Sequence, residues 1–154
     1  MEIKFIKPDV TYITSMQDLV KAEVDNGNIL LRTEDEMANT IRSYIIIEVD
    51  GQIAGFTALH IHSARLGEVR SLVVSKKFRG LDLGKKLVEE CVEEGRKYKL
   101  DQILSLTYAK SFFLKCGFRV IEKEAIPEQK IWADCIRCKH FPICDEIAMV
   151  LDLK

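Results

Sequence analysis

Between positions 76 and 86 the chain carries Lys76, Lys77, Arg79, Lys85 and Lys86, with Gly80 and Gly84 among them. A β-branched run ending at Val74 comes before these cations and an amphipathic run comes after, so they sit where a strand would feed the first turn of a helix. Such a junction, with open backbone N–H groups and lysines around it, binds phosphate. Asp82 stands in its midst. Two unit charges about 4 Å apart at an effective dielectric near 20 interact by roughly 4 kcal/mol, so a carboxylate aimed at phosphate would oppose binding. Aspartate also tolerates left-handed backbone, which can turn its side chain away from the ligand. A second cluster, Cys135, Cys138, His140 and Cys144, puts three thiols and an imidazole within ten residues. Three readings stay open for it: a Cys₃His zinc site, apolar packing with Trp132, Phe141 and Ile143, or a reversible disulfide such as Cys135 with Cys138. His60 and His62 share one face of a strand pattern with no thiol or carboxylate beside them in sequence, which suits a pocket wall or a surface.

The elements that must position these groups are legible in the periodicities. Glu2 to Ile6 alternates and stops at Pro8, a short strand. Ile13, Met16, Val20 and Val24 recur at helical spacing, with Thr11 as N-cap and Gly27 as stop. Thr33 and Glu36 have the spacing of a capping box, opening a second helix through Met37 and Ile41. Ser43 to Val49 and Ile53 to His62 form a hairpin about Asp50-Gly51. Leu66 to Val74 is a strand whose period of two predicts Glu68, Arg70, Leu72 and Val74 on one face, opposite Val69, Ser71 and Val73. Leu83, Leu87, Val88, Cys91 and Val92 mark one side of the following helix. Gln102 to Leu106 is a strand, Thr107 caps a short helix carrying Phe112 and Phe113 that ends at Gly117, and short strands follow at Phe118 to Ile121 and Ile147 to Leu153. The intervening stretch, about 123–146, has no clean period and holds the cysteine cluster. Strands alternating with helices predict an α/β fold.

The chain has 154 residues, 47% of them hydrophobic, which suits one cored domain over 1–154 rather than two. A formal charge of -1, from 23 basic and 24 acidic residues, gives no field for nucleic acid or an anionic membrane, so neither is an expected partner. Tyr44 to Ile47 is among the longest apolar runs, far below the roughly 20 residues of a membrane span. Five cysteines, an odd number, and the absence of a signal-like N-terminus predict reduced thiols and a cytoplasmic location.

The segment from Glu68 to Val88 resembles the acetyl-CoA-binding core of the GNAT superfamily, where a strand leads into an Arg-x-x-Gly-x-Gly loop at a helix N-terminus; Arg79, Gly80 and Gly84 match, and Asp82 replaces the first motif glycine. Phe112 to Phe118 resembles the superfamily's later aromatic motif ending in Gly-Phe, with Phe113 where many members have a tyrosine that protonates the departing thiolate. Nearly the whole chain, including Gly27 to Thr33 and Lys130 onward, resembles short bacterial amino-acid N-acetyltransferases related to N-acetylglutamate synthase, with Leu31 where relatives often have proline. The resemblance implies a mixed, mostly antiparallel sheet flanked by helices. It implies acetyl-CoA held by Leu72, Val73, Val74, Arg79, Gly80, Leu81, Asp82, Leu83, Gly84, Lys85 and Phe113. It further implies that Arg32 and Arg70 hold the carboxylates of an amino acid, L-glutamate, in the setting of arginine biosynthesis; guanidinium forks suit that task, whereas surface or interstrand ion pairing is the plainer role for each.

Amide formation adds its own requirement. An α-amino group titrates near 8 and only its neutral form attacks a thioester, so a base is needed. Glu68, on one strand face with Arg70, is the candidate, directly or through water, with pairing to Arg70 as the plainer role. Backbone N–H groups near Val73 and Val74 are expected to hold the thioester oxygen, and Tyr108 is the substitute acid unless it is a buried packing residue. Two other functions remain open: acetyl transfer to another small amine or a protein lysine, and a non-catalytic sensor of acetyl-CoA, metal or redox state. Assembly with a second copy of the chain, as a homodimer, is also left open.

Overall fold

The computed structural model describes residues 1–24, 32–78, 80–126 and 146–154. Seven strands, β1 (Ile3–Ile6), β2 (Tyr44–Val49), β3 (Gln52–Ile61), β4 (Leu66–Val74), β5 (Gln102–Thr107), β6 (Arg119–Ile121) and β7 (Ile147–Asp152), form one sheet in the order β1-β2-β3-β4-β5-β7-β6. Only β4 and β5 run parallel; the other neighbours are antiparallel, so the mixed, mostly antiparallel sheet expected from the sequence is observed. Helices α1 (Ile13–Val24), α2 (Glu34–Asn39), α3 (Leu83–Lys97) and α4 (Lys110–Lys115) complete the fold.

Among the described residues the apolar pattern divides into two main cores, one on each side of the sheet, and a small third cluster of Leu66, Leu104 and Val150. Ile13, Met16 and Val20 of α1 and Met37 of α2 pack on Tyr44, Ile46, Phe56, Ala58 and Val73. Leu83, Leu87, Val88, Cys91 and Val92 of α3 pack on Ile45, Ile47, Val69 and Ile103, together with Phe113 and Phe118. Burial pushes the Cys91 thiol up to about 12.

Local chemistry explains most element ends. At the β2–β3 turn Asp50 and Gly51 both take positive φ, 49° and 82°, as the hairpin requires. The capping box is present in full: Glu36 N–H donates to Thr33 Oγ1, and Thr33 N–H donates to Glu36 Oε1. Gly117, at φ 94°, ends α4; its N–H donates to the Leu114 carbonyl and the Phe118 N–H to the Phe113 carbonyl, while the Phe113 and Phe118 rings meet at 5.1 Å. The Gly-Phe pair is therefore a helix stop with its apolar clasp.

Three expectations are corrected. The cap ahead of α1 is Asp9 rather than Thr11: its carboxylate accepts from the Thr11 N–H and opens a 3₁₀ turn, Val10–Tyr12, before the α-helix begins. Thr107 does not cap α4; its hydroxyl accepts from the Ala109 N–H, and the helix starts at Lys110 with no side-chain cap. In β4 the alternation breaks, because Phe56 faces Val73 while Ala58 faces Arg70, leaving Ser71 and Leu72 opposite Thr57 alone. Ser71 takes φ 53°, and beyond it Leu72 and Val74 fall on the α3 side with Val69, while Val73 falls on the α1 side. Gly27, Leu31, Arg79, Trp132 and the cluster Cys135, Cys138, His140 and Cys144 lie outside the described residues; within those described, no three His, Cys, Asp or Glu side chains gather as a metal site, and no helix is long and apolar enough to cross a membrane.

Candidate active site

The bulge at Ser71 sits where two cavities meet. One is the opening between β4 and β5, whose pairing ends after Glu68 and Leu104. Beyond that point the strands diverge around a cavity of about 220 Å³ lined by Leu72, Ser105, Tyr108, Phe112 and Phe113, with Ser71 at its edge. Ser105 is buried here, and Glu146 reaches the wall from just before β7. The α3 N-terminus lies next to one of these walls, Gly84 being the neighbour of Phe112. Asp82 occupies the N-cap position with φ 59° and ψ 27°, its side chain makes no cap bond, and no acidic residue follows in the first turn. The left-handed backbone explains why glycine suits this position and how aspartate replaces it at modest cost. Gly80 is also left-handed, at φ 96°, and Gly84 permits close approach, since a Cβ there would lie 3.4 Å from Phe112 Cζ. Lys76, Lys77, Lys85 and Lys86 are exposed around this turn, Lys77 donating to Gln52 Oε1 at 2.8 Å.

The second cavity, about 20 Å³, lies on the α1 side and is lined by Arg32, Tyr44, His60, Arg70 and Ser71. Register builds it: β3 and β4 place His60 opposite Glu68 and Ala58 opposite Arg70, which puts His60, Glu68 and Arg70 on one face. The Glu68 side chain is only 4% exposed. His62 Nε2 lies 2.8 Å from Glu68 Oε1, and Arg70 Nε–H donates to the same oxygen at 3.2 Å. The His60 and His62 rings meet edge to face, with centroids 4.6 Å apart. Burial pulls the Arg70 guanidinium below its ordinary range, Glu68 opposes that, and Arg32 adds to it. Burial likewise raises the Tyr44 hydroxyl above its ordinary value, against Arg32 and a hydrogen bond with Thr40.

Residues 40–120 match the acetyltransferase (GNAT) domain. The chain belongs to the GNAT acetyltransferase family. It is 33% identical over 140 residues to an uncharacterized N-acetyltransferase of Chlorobaculum tepidum, covering 91% of this chain and 90% of that one. It is 25% identical over 126 residues to an amino-acid acetyltransferase of Shewanella oneidensis, covering 80% of this chain but only 28% of that protein. The structure superposes on N-acetylglutamate synthase from Neisseria gonorrhoeae complexed with coenzyme A and N-acetyl-glutamate, with a TM-score of 0.86 at 20% identity, over 100% of this chain and 36% of that one.

Set in this GNAT frame, the residues singled out in the sequence fall into two groups. Arg32 and Arg70 share the smaller cavity, while Leu72, Tyr108 and Phe113 line the larger. Tyr108 is 42% exposed, so it is not a buried packing residue. Val73 is buried in the α1-side core, opposite Phe56 of β3, and lines neither cavity. Glu68 is buried behind Arg70 and, among the residues lining either cavity, is absent from the walls. Tyr44 and Ser71 are wall residues that the sequence did not assign to the site, and His60 takes the pocket-wall place that was one of its two expected settings. The signal for His60 was present in the hairpin: once Asp50-Gly51 and the next turn fix the register, a histidine opposite Glu68 must share its face.

Proposed function

We propose that this GNAT domain transfers the acetyl group of acetyl-CoA to the α-amino group of an amino acid, with L-glutamate as acceptor and arginine biosynthesis as the setting. The observation that carries this reading is that Arg32 and Arg70 line one cavity, which meets the β4–β5 opening at Ser71; at about 20 Å³ it has room for the carboxylate end of an acceptor, whose remaining atoms would lie in the opening. Two guanidinium forks there favour an acceptor with two carboxylates. The names of the relatives support the same class of acceptor.

In this reading the open first turn of α3, with Gly80, Leu81, Asp82, Leu83, Gly84 and Lys85, and with Arg79 just before it, receives the cofactor diphosphate. Leu72, Val74 and Phe113 flank the thioester arm. Backbone N–H groups at Val73 and Val74 hold the thioester oxygen as negative charge develops. Attack by the amine expels the thiolate, which takes up a proton with Tyr108 as the nearby acid. Proton removal from the ammonium ion belongs to the β3–β4 face carrying Glu68, reached through its neighbours rather than by direct contact.

The test is CoA-thiol release from acetyl-CoA across the twenty amino acids, repeated with Arg32→Ala and Arg70→Ala. Glutamate is expected to be the best acceptor, with each variant raising its KM roughly 10- to 100-fold, the effect of losing a charged hydrogen bond, while the KM for acetyl-CoA holds. Equal rates with neutral amino acids, or an unchanged KM in both variants, would overturn it.

A further inference from the structure

Glu68 presents a difficulty as a base. Its carboxylate is buried and already accepts from two directions, His62 and Arg70 converging on one oxygen. Donors to the charged form lower a carboxylate's proton affinity. The acceptor cavity has another titratable wall residue. His60 lines it together with Arg32, Arg70 and Ser71, and Ser71 also borders the acyl-donor opening that an amine held by its carboxylates would face.

Resting on the acceptor reading above, we propose that His60 is the catalytic base of this acetyltransferase, taking the ammonium proton, with His62 and Glu68 behind it as the group that balances the charge it acquires. An N–H bond of the ammonium ion breaks and its proton moves to a ring nitrogen of His60. The freed lone pair forms the C–N bond at the thioester carbon, and the C–S bond breaks with its electrons leaving on sulfur. Tyr108 gives its proton to the thiolate and regains one from the nitrogen's surplus, and the His60 imidazolium releases its proton to solvent.

The surrounding charges suit this role. Among the described residues, the titratable groups around His60 include Arg32 from ahead of α2, Tyr44 from β2, Arg70 and Glu68 from β4, and His62 next to β3, with Glu36 of α2 acting on Tyr44. Two guanidiniums oppose a cation on His60 while the cavity is empty. A bound dicarboxylate cancels them, and Glu68, directly across the strand pair, then supplies the counter-charge. Proton uptake is thereby tied to an acceptor with two carboxylates.

The experiment compares wild type with His60→Gln and His60→Asn, each checked for an unchanged melting temperature. Acetyl-CoA is the donor; the acceptors are glutamate and its aminooxy analogue, 2-aminooxyglutarate, whose nitrogen is already neutral at neutral pH. Both variants are expected to lose about 100-fold in kcat with glutamate, with the acetyl-CoA KM unchanged, and to retain wild-type kcat with the aminooxy acceptor. Turnover within twofold of wild type, or an equal loss with both acceptors, would overturn the proposal. A wild type that ignores glutamate but uses another amine overturns the glutamate assignment alone, and the comparison then runs with that amine and its aminooxy analogue. A wild type silent with every amine overturns both.

Discussion

The acceptor cavity and the cleft between β4 and β5 adjoin at Ser71 yet are made in opposite ways. Side chains make the first: ordinary strand pairing brings Arg70, Glu68, His60 and His62 onto one buried face. Missing backbone pairing makes the second, since the parallel ladder stops after three residue pairs and the strands part. A buried charged constellation depends on every partner, whereas an opening between strands depends on the helices that wedge it. The two regions should therefore fail differently when residues are removed.

The largest effect is expected on the cleft side. Phe113→Ala removes a ring clasped between Phe112 and Phe118 and should cost about 3–5 kcal/mol in urea unfolding. A cost below about 1 kcal/mol would mean that α4 does not wedge the opening. Next comes the charged side: Arg70→Met should cost about 3 kcal/mol by removing a cationic partner from the buried Glu68 carboxylate, which keeps His62, and the double change with Glu68→Met should recover much of it. Additive losses would show that the pair is not energetically coupled. Smaller is Asp82→Gly, which relieves left-handed backbone and removes a carboxylate from the cationic turn; about 1 kcal/mol of stability and tighter acetyl-CoA binding by calorimetry are expected. Weaker binding would mean that Asp82 assists the cofactor.

The smallest effect concerns pH. Tyr44 has its folded-state value raised above 10.0, so its contribution to stability is complete below that pH and is lost as pH rises through the higher folded value. Unfolding free energy should fall more steeply above about pH 10 in wild type than in Tyr44→Phe. Parallel slopes would separate Tyr44 from the alkaline loss.

Much of the frame was legible because local signals decided it. Asp50-Gly51, the Thr33–Glu36 box and Gly117 each have a backbone requirement that a few residues meet. Arg32 and Arg70 were legible as types, through resemblance, and the structure puts them in one cavity. The faces of Leu72 and Val74 were read wrongly because a bulge is set by pairing with β3, and nothing in Arg70-Ser71-Leu72 announces a serine at positive φ. Glu68 was visible as a carboxylate, yet its depth and its contact with His62 arise across a hairpin. Tyr108 had two readings, substitute acid or packing residue, and its 42% exposure just past the end of β5 sets aside the second.

One consequence follows from the brevity of the parallel seam. Strands β1 to β4 and strands β5 to β7 are stitched together by three residue pairs at one end and by α3, which crosses from one set to the other. The sheet is thus two leaves joined along a short spine, like a book held ajar. A long, thin guest can slide between the leaves without tearing any ladder, so the free energy of its contacts goes to grip rather than to prying the protein apart.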